Sequence, residues 1–316
     1  MHSSEERMEN IRMIRDSAVA FAPVGSLVRV RELRFQDPGF DRSVWLKIAA
    51  NGWLGLSLPE AKGGTGLGMA EYCALLEVLG GALLPEPFVP AVLAARLLDG
   101  EPLEAQLTGV RLLLPALQES IDSLDAIAGG THFSAGRVSG RKIGIPMAGS
   151  ADGFVVSTPE GMALVEAGAS GVTLERLQTQ DGGHFGTLTL NDAPAQLLPL
   201  DAEALANALD EAALGTAAYL LGAAEQAFAL TLEYLRTRKQ FGQAIGSFQA
   251  LQHRAVDLKL QLVLWRASLD AAAAACDGRT PVVQRRAAVS RAKARAADAA
   301  LLVTREAVQL HGAIGY

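Results

Sequence analysis

The densest group of chemically capable side chains lies in Tyr234-Leu-Arg-Thr-Arg-Lys-Gln-Phe-Gly-Gln-Ala-Ile-Gly-Ser-Phe-Gln. Arg236, Arg238 and Lys239 close a helical run, a glycine-bounded turn follows, and Ser247, a good N-cap, precedes the next run. Cations at a helix C-terminus are favourable against its dipole, so simple capping is one reading. The other rests on the company these cations keep. Arg238, the aromatic Phe241, the flexible Gly242 and the amides of Gln240 and Gln249 fall within a dozen residues, which suits a diphosphate and an adenine, because a planar guanidinium binds phosphate oxygens in pairs. The five histidines show no clustered metal-ligand spacing, so no metal site is expected.

Composition narrows the classes that could carry such a site. The chain has 316 residues, of which 50% are hydrophobic and 20% charged, enough for real cores and unlike a disordered chain. Its formal net charge of −6 disfavours a nucleic-acid partner. With only Cys73 and Cys276 and a start reading MHSSEERMENIRMIRDS, a disulfide framework and export are both disfavoured, and a cytoplasmic location is expected. The apolar stretches are interrupted well short of the roughly 20 residues of a membrane span.

Three textures position these residues, implying an N-terminal helical domain over 1–104, a middle β domain over 105–202 and a C-terminal helical bundle over 203–316. In the first, Trp45, Ile48 and Ala49, then Tyr72, Leu75, Leu76 and Leu79 recur at the helical period. Pro59 and the clustered glycines 63, 64, 66 and 68 demand a turn between the helices. The prolines at 85, 87 and 90 predict an extended segment before a helix restarts at Ala91. In the second, short runs such as Phe154-Val-Val-Ser-Thr, Met162-Ala-Leu-Val and Gly186-Thr-Leu-Thr-Leu alternate with glycines, predicting a small antiparallel β domain rather than a parallel dinucleotide fold. In the third, alanine dominates and Pro281 is the only proline, predicting helices over about 203–238, 248–276 and 281–310, with Pro281 at the first helical position. Their low charge over so many turns implies packing on several sides and subunit association. A cationic excess here, including Arg285, Arg286, Arg291, Lys293 and Arg295, is most simply a solvated face.

Glu233 to His253, with Ala307-Val-Gln-Leu-His-Gly-Ala-Ile-Gly-Tyr316, resembles the acyl-CoA dehydrogenases, FAD enzymes that desaturate acyl-CoA thioesters. Gly52-Trp-Leu-Gly-Leu-Ser-Leu-Pro-Glu, the following glycine run and Val138-Ser-Gly-Arg-Lys-Ile are similar to the same family. The resemblance implies an α+β fold in the order helical, β, helical, assembled as a dimer of dimers from identical or different chains. It also implies FAD as cofactor, an acyl-CoA substrate and an electron-accepting flavoprotein partner. It places Arg238 on the FAD pyrophosphate of a neighbouring subunit and Phe241 near the adenosine half. Gln240, Phe248 and Gln249 line the cofactor, and Gln309, Gly312 and Ala313 lie at its ADP portion. Relatives usually carry two adjacent glycines where this chain has Gly312-Ala313.

The departures concern the chemistry itself. Removing the acyl α-proton while a hydride leaves the β-carbon needs a positioned general base. One branch of the family carries it beyond the Gly-Tyr that here ends at Tyr316. Another carries it where this chain has Ala212, and short relatives often carry it where this chain has Tyr219. Glu211 is the one carboxylate nearby, about 100° off that face. The middle region lacks the family's tryptophan-bearing flavin strand; Gln118 and Glu119 are the candidate substitutes. These features imply a dehydrogenase or a companion subunit that completes a partner's FAD site. The alternatives are a non-catalytic binding or scaffold subunit and a flavin oxidase or monooxygenase on the same fold.

Overall fold

The computed structural model describes residues 4–123, 125–199, 201–278 and 280–315. Its elements run α1 (Ser4–Phe21), α2 (Val28–Leu33), α3 (Arg42–Ala50), α4 (Met69–Gly81), α5 (Phe88–Arg96), α6 (Gly100–Leu107), β1 (Leu113–Ala116), β2 (His132–Ser134), β3 (Arg137–Pro146), β4 (Gly153–Thr158), β5 (Gly161–Glu166), β6 (Val172–Gln178), β7 (His184–Pro194), β8 (Gln196–Leu198), α7 (Ala202–Thr237), β9 (Lys239–Gln240), β10 (Gln243–Ala244), α8 (Gln249–Asp277) and α9 (Val282–His311). The helical, β, helical order is the expected one. The chain folds as two compact units, one from residues 1–27, 68–84 and 213–316, the other from 28–67 and 85–212.

The first unit is helical. α4 is buried on almost every side, as its largely apolar sequence requires, and it takes Glu71 and Glu77 inside with it. It meets α7 at a glycine crossing: a Cβ on Gly80 would stand 1.9 Å from the Tyr219 carbonyl oxygen, and one on Gly222 would stand 1.8 Å from that of Glu77. No side chain fits there. α8 and α9 lie against each other, and Trp265, Leu269, Val289 and Val303 are buried. The predicted bounds of the three long helices hold to within a residue or so, with two local corrections. Pro281 is the N-cap of α9, one place earlier than expected. Ser247 does not cap α8, because it lies in a 3-10 turn over Ile245–Ser247 where its hydroxyl donates to the Ala244 carbonyl at 2.6 Å, leaving Phe248 as N-cap.

The second unit carries the two four-stranded sheets. One has the order β1-β4-β5-β8, the other β2-β3-β7-β6. All pairings in these sheets are antiparallel except β1 with β4, which run parallel from Leu113–Gly153 to Ala116–Val156. That pair departs from a purely antiparallel expectation because the chain returns to β1 only after passing through β2 and β3. The core joins α5 and α6 to the first sheet through Leu58, Ala94, Leu98, Leu103, Leu113, Val155 and Met162, each large apolar side chain stabilising by about 1.5–3 kcal/mol. α5 begins at Phe88 with Pro90 in its first turn rather than restarting at Ala91, since a proline costs nothing where the N–H has no helical acceptor. The loop after Gly55 folds back on itself, and a Cβ on Gly64 would lie 2.1 Å from the Leu58 carbonyl oxygen.

Candidate functional site

The arginine segment forms a tight hairpin between two long helices. The Arg238 amide still donates to the Tyr234 carbonyl at 2.8 Å, and Gln240 and Lys239 then pair with Gln243 and Ala244. Phe241 and Gly242 form the tip with φ of 53° and 83°, the left-handed pair that a two-residue hairpin requires. A phenylalanine there is unusual, and its ring is 90% exposed, touching Phe248 edge-on at 6.2 Å between centroids. Arg238, Gln240 and Gln249 are exposed beside it, and Phe248 is half-buried. The hairpin is held close to α7, since a Cβ on Gly246 would lie 2.8 Å from the Leu235 carbonyl oxygen, and the Ile245 amide donates to the Arg238 carbonyl at 2.9 Å.

The second motif comes to the same place within one unit. His311, the last residue of α9, stacks on Tyr234 with ring centroids 4.6 Å apart and planes 21° from parallel, and its Nδ1 donates to the Ala307 carbonyl at 2.8 Å. This stack sets the end of α9 beside the arginine hairpin. Gly312 follows with φ of 65°, and Gln309, Gly312 and Ala313 are exposed. Tyr316 lies outside the described residues. The stack was not read from the sequence, although two ring residues, one four residues before an arginine and one just before a glycine, are its trace.

The ADP end of a dinucleotide-like flavin suits this surface. It presents a guanidinium, an uncovered aromatic ring, amide donors and a glycine with nothing within 4 Å of its Cβ position at Gly312. The candidate contacts in the β region do not suit the flavin ring. The Gln118 amide donates to the Ser120 and Ser123 carbonyls at 2.8 and 3.3 Å. Glu119 accepts from Gly130 N and from the fully buried Lys142 at 2.8 Å each, and Lys142 also donates to Ser157 Oγ and the Leu117 carbonyl. Burial pushes the Glu119 carboxyl up, but the hydrogen bonds from Lys142, Thr131 and Gly130 outweigh it and hold it below its usual range. Burial likewise lowers Lys142, against the pull of Glu119. Both candidate groups are thus engaged inside the unit. Nearby, the Gly149 amide donates to His184 Nε2 at 2.7 Å, which requires a neutral ring; burial first, then Arg176, lower this histidine.

The candidate carboxylate is engaged as well. Glu211 forms an ion pair with Arg96 of α5, whose guanidinium also donates to Ser57 Oγ at 2.8 Å. Tyr219 donates its hydroxyl to the Leu84 carbonyl at 3.0 Å. The strongest carboxylate environment lies elsewhere, at Glu77 on α4. It is buried and accepts from Arg15 at 2.9 Å and from Arg266 at 3.0 and 3.1 Å, while Arg266 also donates to Glu225 at 2.8 Å. Its signal in the sequence is a glutamate inside the apolar run Cys73-Ala-Leu-Leu-Glu-Val-Leu. Among the described residues no group of three or more His, Cys, Asp or Glu side chains could hold a metal, and no helix is long and apolar enough to cross a membrane.

A helical region, two four-stranded sheets and three long helices, the first two joined by an arginine hairpin, define the fold class of the flavin-linked acyl-CoA dehydrogenases. Residues 8–98 match the acyl-CoA dehydrogenase N-terminal domain and residues 202–316 the C-terminal domain of that family. The chain is 34% identical to acyl-CoA dehydrogenase FadE27 of Mycobacterium tuberculosis, over 90% of this chain and 82% of that relative. Among solved structures it is similar to a Tcur3481-Tcur3483 steroid ACAD, with a TM-score of 0.83 at 33% identity over 98% of this chain and 88% of the other. It is also similar to the ChsE4-ChsE5 complex from Mycobacterium tuberculosis, with a TM-score of 0.84 at 28% identity over 99% and 88%. The chain belongs to the acyl-CoA dehydrogenase family, a family of oxidoreductases.

Proposed function

We propose that this chain is the companion subunit of a heteromeric, FAD-dependent acyl-CoA dehydrogenase, and that it completes a cofactor site whose general base a partner chain supplies. The observation that carries this reading is the Glu211–Arg96 ion pair. A base must reach the acyl α-carbon as a free carboxylate, and the ion pair with Arg96 holds the Glu211 carboxylate in place. Ala212 has no titrating group, and Tyr219 is bound to a backbone carbonyl.

When bound, FAD supplies the acceptor for the hydride that leaves the β-carbon. This chain's part is binding. Arg238 pairs with the pyrophosphate, Phe241 and Phe248 cover the adenosine side, Gln240 and Gln249 donate amide hydrogen bonds, and Gln309, Gly312 and Ala313 let backbone approach the ADP portion. The engaged states of Gln118 and Glu119 favour a chain that holds the ADP end without holding the flavin ring. In this reading residues 1–104, 105–202 and 203–316 serve as helical, β and bundle domains of a dimer of dimers, with an electron-accepting flavoprotein downstream. No disulfide joins Cys73 to Cys276, which fits a reducing, cytoplasmic setting.

Ferrocenium-coupled turnover of a panel of acyl-CoA thioesters tests the proposal. The chain by itself should show no efficient turnover, whereas its complex with a base-bearing family subunit should turn over equally well with Glu211 or with Glu211→Gln. Robust turnover by the isolated chain that collapses in Glu211→Gln would refute it.

A further inference from the structure

α7 ends at Thr237 and α9 at His311, so the two motifs of the candidate cofactor surface stand on the C-terminal ends of two different helices. The last carbonyls of each helix leave a partial negative charge there, and like charges push such ends apart. A surface built across both ends needs an attractive contact that sets their spacing. Tyr234 and His311 supply it, with ring centroids 4.6 Å apart and planes 21° from parallel. Flat rings stacked in this way attract each other and also fix their mutual orientation.

Each ring is tied in turn to the ligand-binding residues beside it. The Tyr234 carbonyl accepts from the Arg238 amide at 2.8 Å, which places that arginine one helical turn beyond the ring. His311 donates from Nδ1 to the Ala307 carbonyl at 2.8 Å, which holds its ring on α9, and Gly312 leaves the helix directly after it with φ of 65°. A continuous path thus runs from Arg238 through two rings to the turn over residues 309–313. Both rings are half-buried, whereas Arg238, Gln309, Gly312 and Ala313 are exposed.

We infer that Tyr234 and His311 are the positioning pair of this surface: their stack sets the spacing between Arg238 and the 309–313 turn, so that one ligand engages both. Neither ring has to touch the ligand. The inference rests on the reading that this surface takes the ADP end of FAD. It adds a dependence on ligand length. Inorganic pyrophosphate needs only the Arg238 half, whereas ADP needs both halves in register, and binding groups act together only when held to within about 0.5 Å of their working geometry. The worth of a stacked ring pair corresponds to about three- to tenfold in an equilibrium constant.

Titration calorimetry with ADP and with inorganic pyrophosphate tests it, on the full chain in complex with a base-bearing family subunit. Tyr234→Leu and His311→Gln remove the stack, the second keeping a side-chain donor for Ala307; Tyr234→Phe and His311→Phe keep two rings. ADP affinity should fall about three- to tenfold in the first two and return to the parent value in the second two, while pyrophosphate affinity stays the same in all four. Amide hydrogen exchange of the free chain should quicken over residues 238–246 and 309–315 in Tyr234→Leu and His311→Gln alone. Unchanged ADP affinity or unchanged exchange in folded Tyr234→Leu and His311→Gln would overturn the inference, as would equal losses for ADP and pyrophosphate, or losses that ring-retaining variants share. If Tyr234→Leu fails to fold, His311→Gln carries the same test. Arg238→Ala separates the inference from the reading beneath it: loss of ADP there with none in the stack variants overturns the inference alone, whereas Arg238→Ala binding ADP like the parent, or a parent that binds no ADP, removes both.

Discussion

Replacing Arg266 by methionine keeps the side chain's apolar stem and removes three hydrogen bonds, two to Glu77 and one to Glu225. Glu77 has a side-chain exposure of 10%, so its carboxylate stays buried with Arg15 as remaining partner, itself 44% exposed. Breaking a buried ion pair by deleting one member costs about 3–5 kcal/mol. Because Arg15 remains and Arg266 is partly solvated, the expected loss is about 2–3 kcal/mol at pH 7. The pH dependence identifies the cause. Burial holds the Glu77 carboxyl above its usual range even against Arg266 and Arg15. The folded chain therefore binds this proton more tightly than the unfolded one, and stability falls as pH rises from the unfolded pKa through the folded one. Without Arg266 the folded pKa climbs further, so the deficit is largest at neutral pH and should shrink by roughly half as the pH drops to about 5. Urea unfolding of both proteins at a series of pH values measures it. A loss below about 1 kcal/mol, or one that does not change with pH, would refute the argument.

Arg238→Ala should weaken FAD retention by the complex about ten- to a hundredfold, the worth of a charge-assisted fork on phosphate; unchanged flavin content after gel filtration would remove that assignment. Gly222→Ala should destabilise by about 3 kcal/mol or more, since its methyl would stand 1.8 Å from the Glu77 carbonyl oxygen at a backbone crossing, and a melting point close to that of the unsubstituted protein would contradict the crossing. Phe241→Gly should leave stability unchanged or raise it by about 0.5 kcal/mol, because the ring is exposed and the positive φ is relieved, while cofactor retention falls; a clear loss of stability would show that the ring packs within the chain. His184 is lowered by burial and accepts a hydrogen bond from Gly149, so stability should decline as pH falls below the unfolded histidine pKa of about 6.5. His184→Gln should flatten that decline, and an identical acid limb in both proteins would exclude this residue as its source.

The elements of this protein were legible in its sequence because their determinants are local. Alanine-rich runs bounded by glycine and by Pro281 set the three long helices, and glycine-punctuated apolar runs set the strands. The arginine hairpin was legible for the same reason, its residues being neighbours in sequence as well as in space. What those groups do was decided by the tertiary structure. Glu211 looks like a free carboxylate until α5 brings Arg96 to it, and Gln118 and Glu119 look available until Lys142 and nearby backbone engage them. The parallel β1–β4 pair, the stacking of His311 on Tyr234 and the buried position of Glu77 likewise join residues far apart in the chain. Backbone propensity acts over a few neighbouring residues, whereas the charge, basicity and exposure of a side chain depend on whichever distant groups the fold sets within a few ångströms of it.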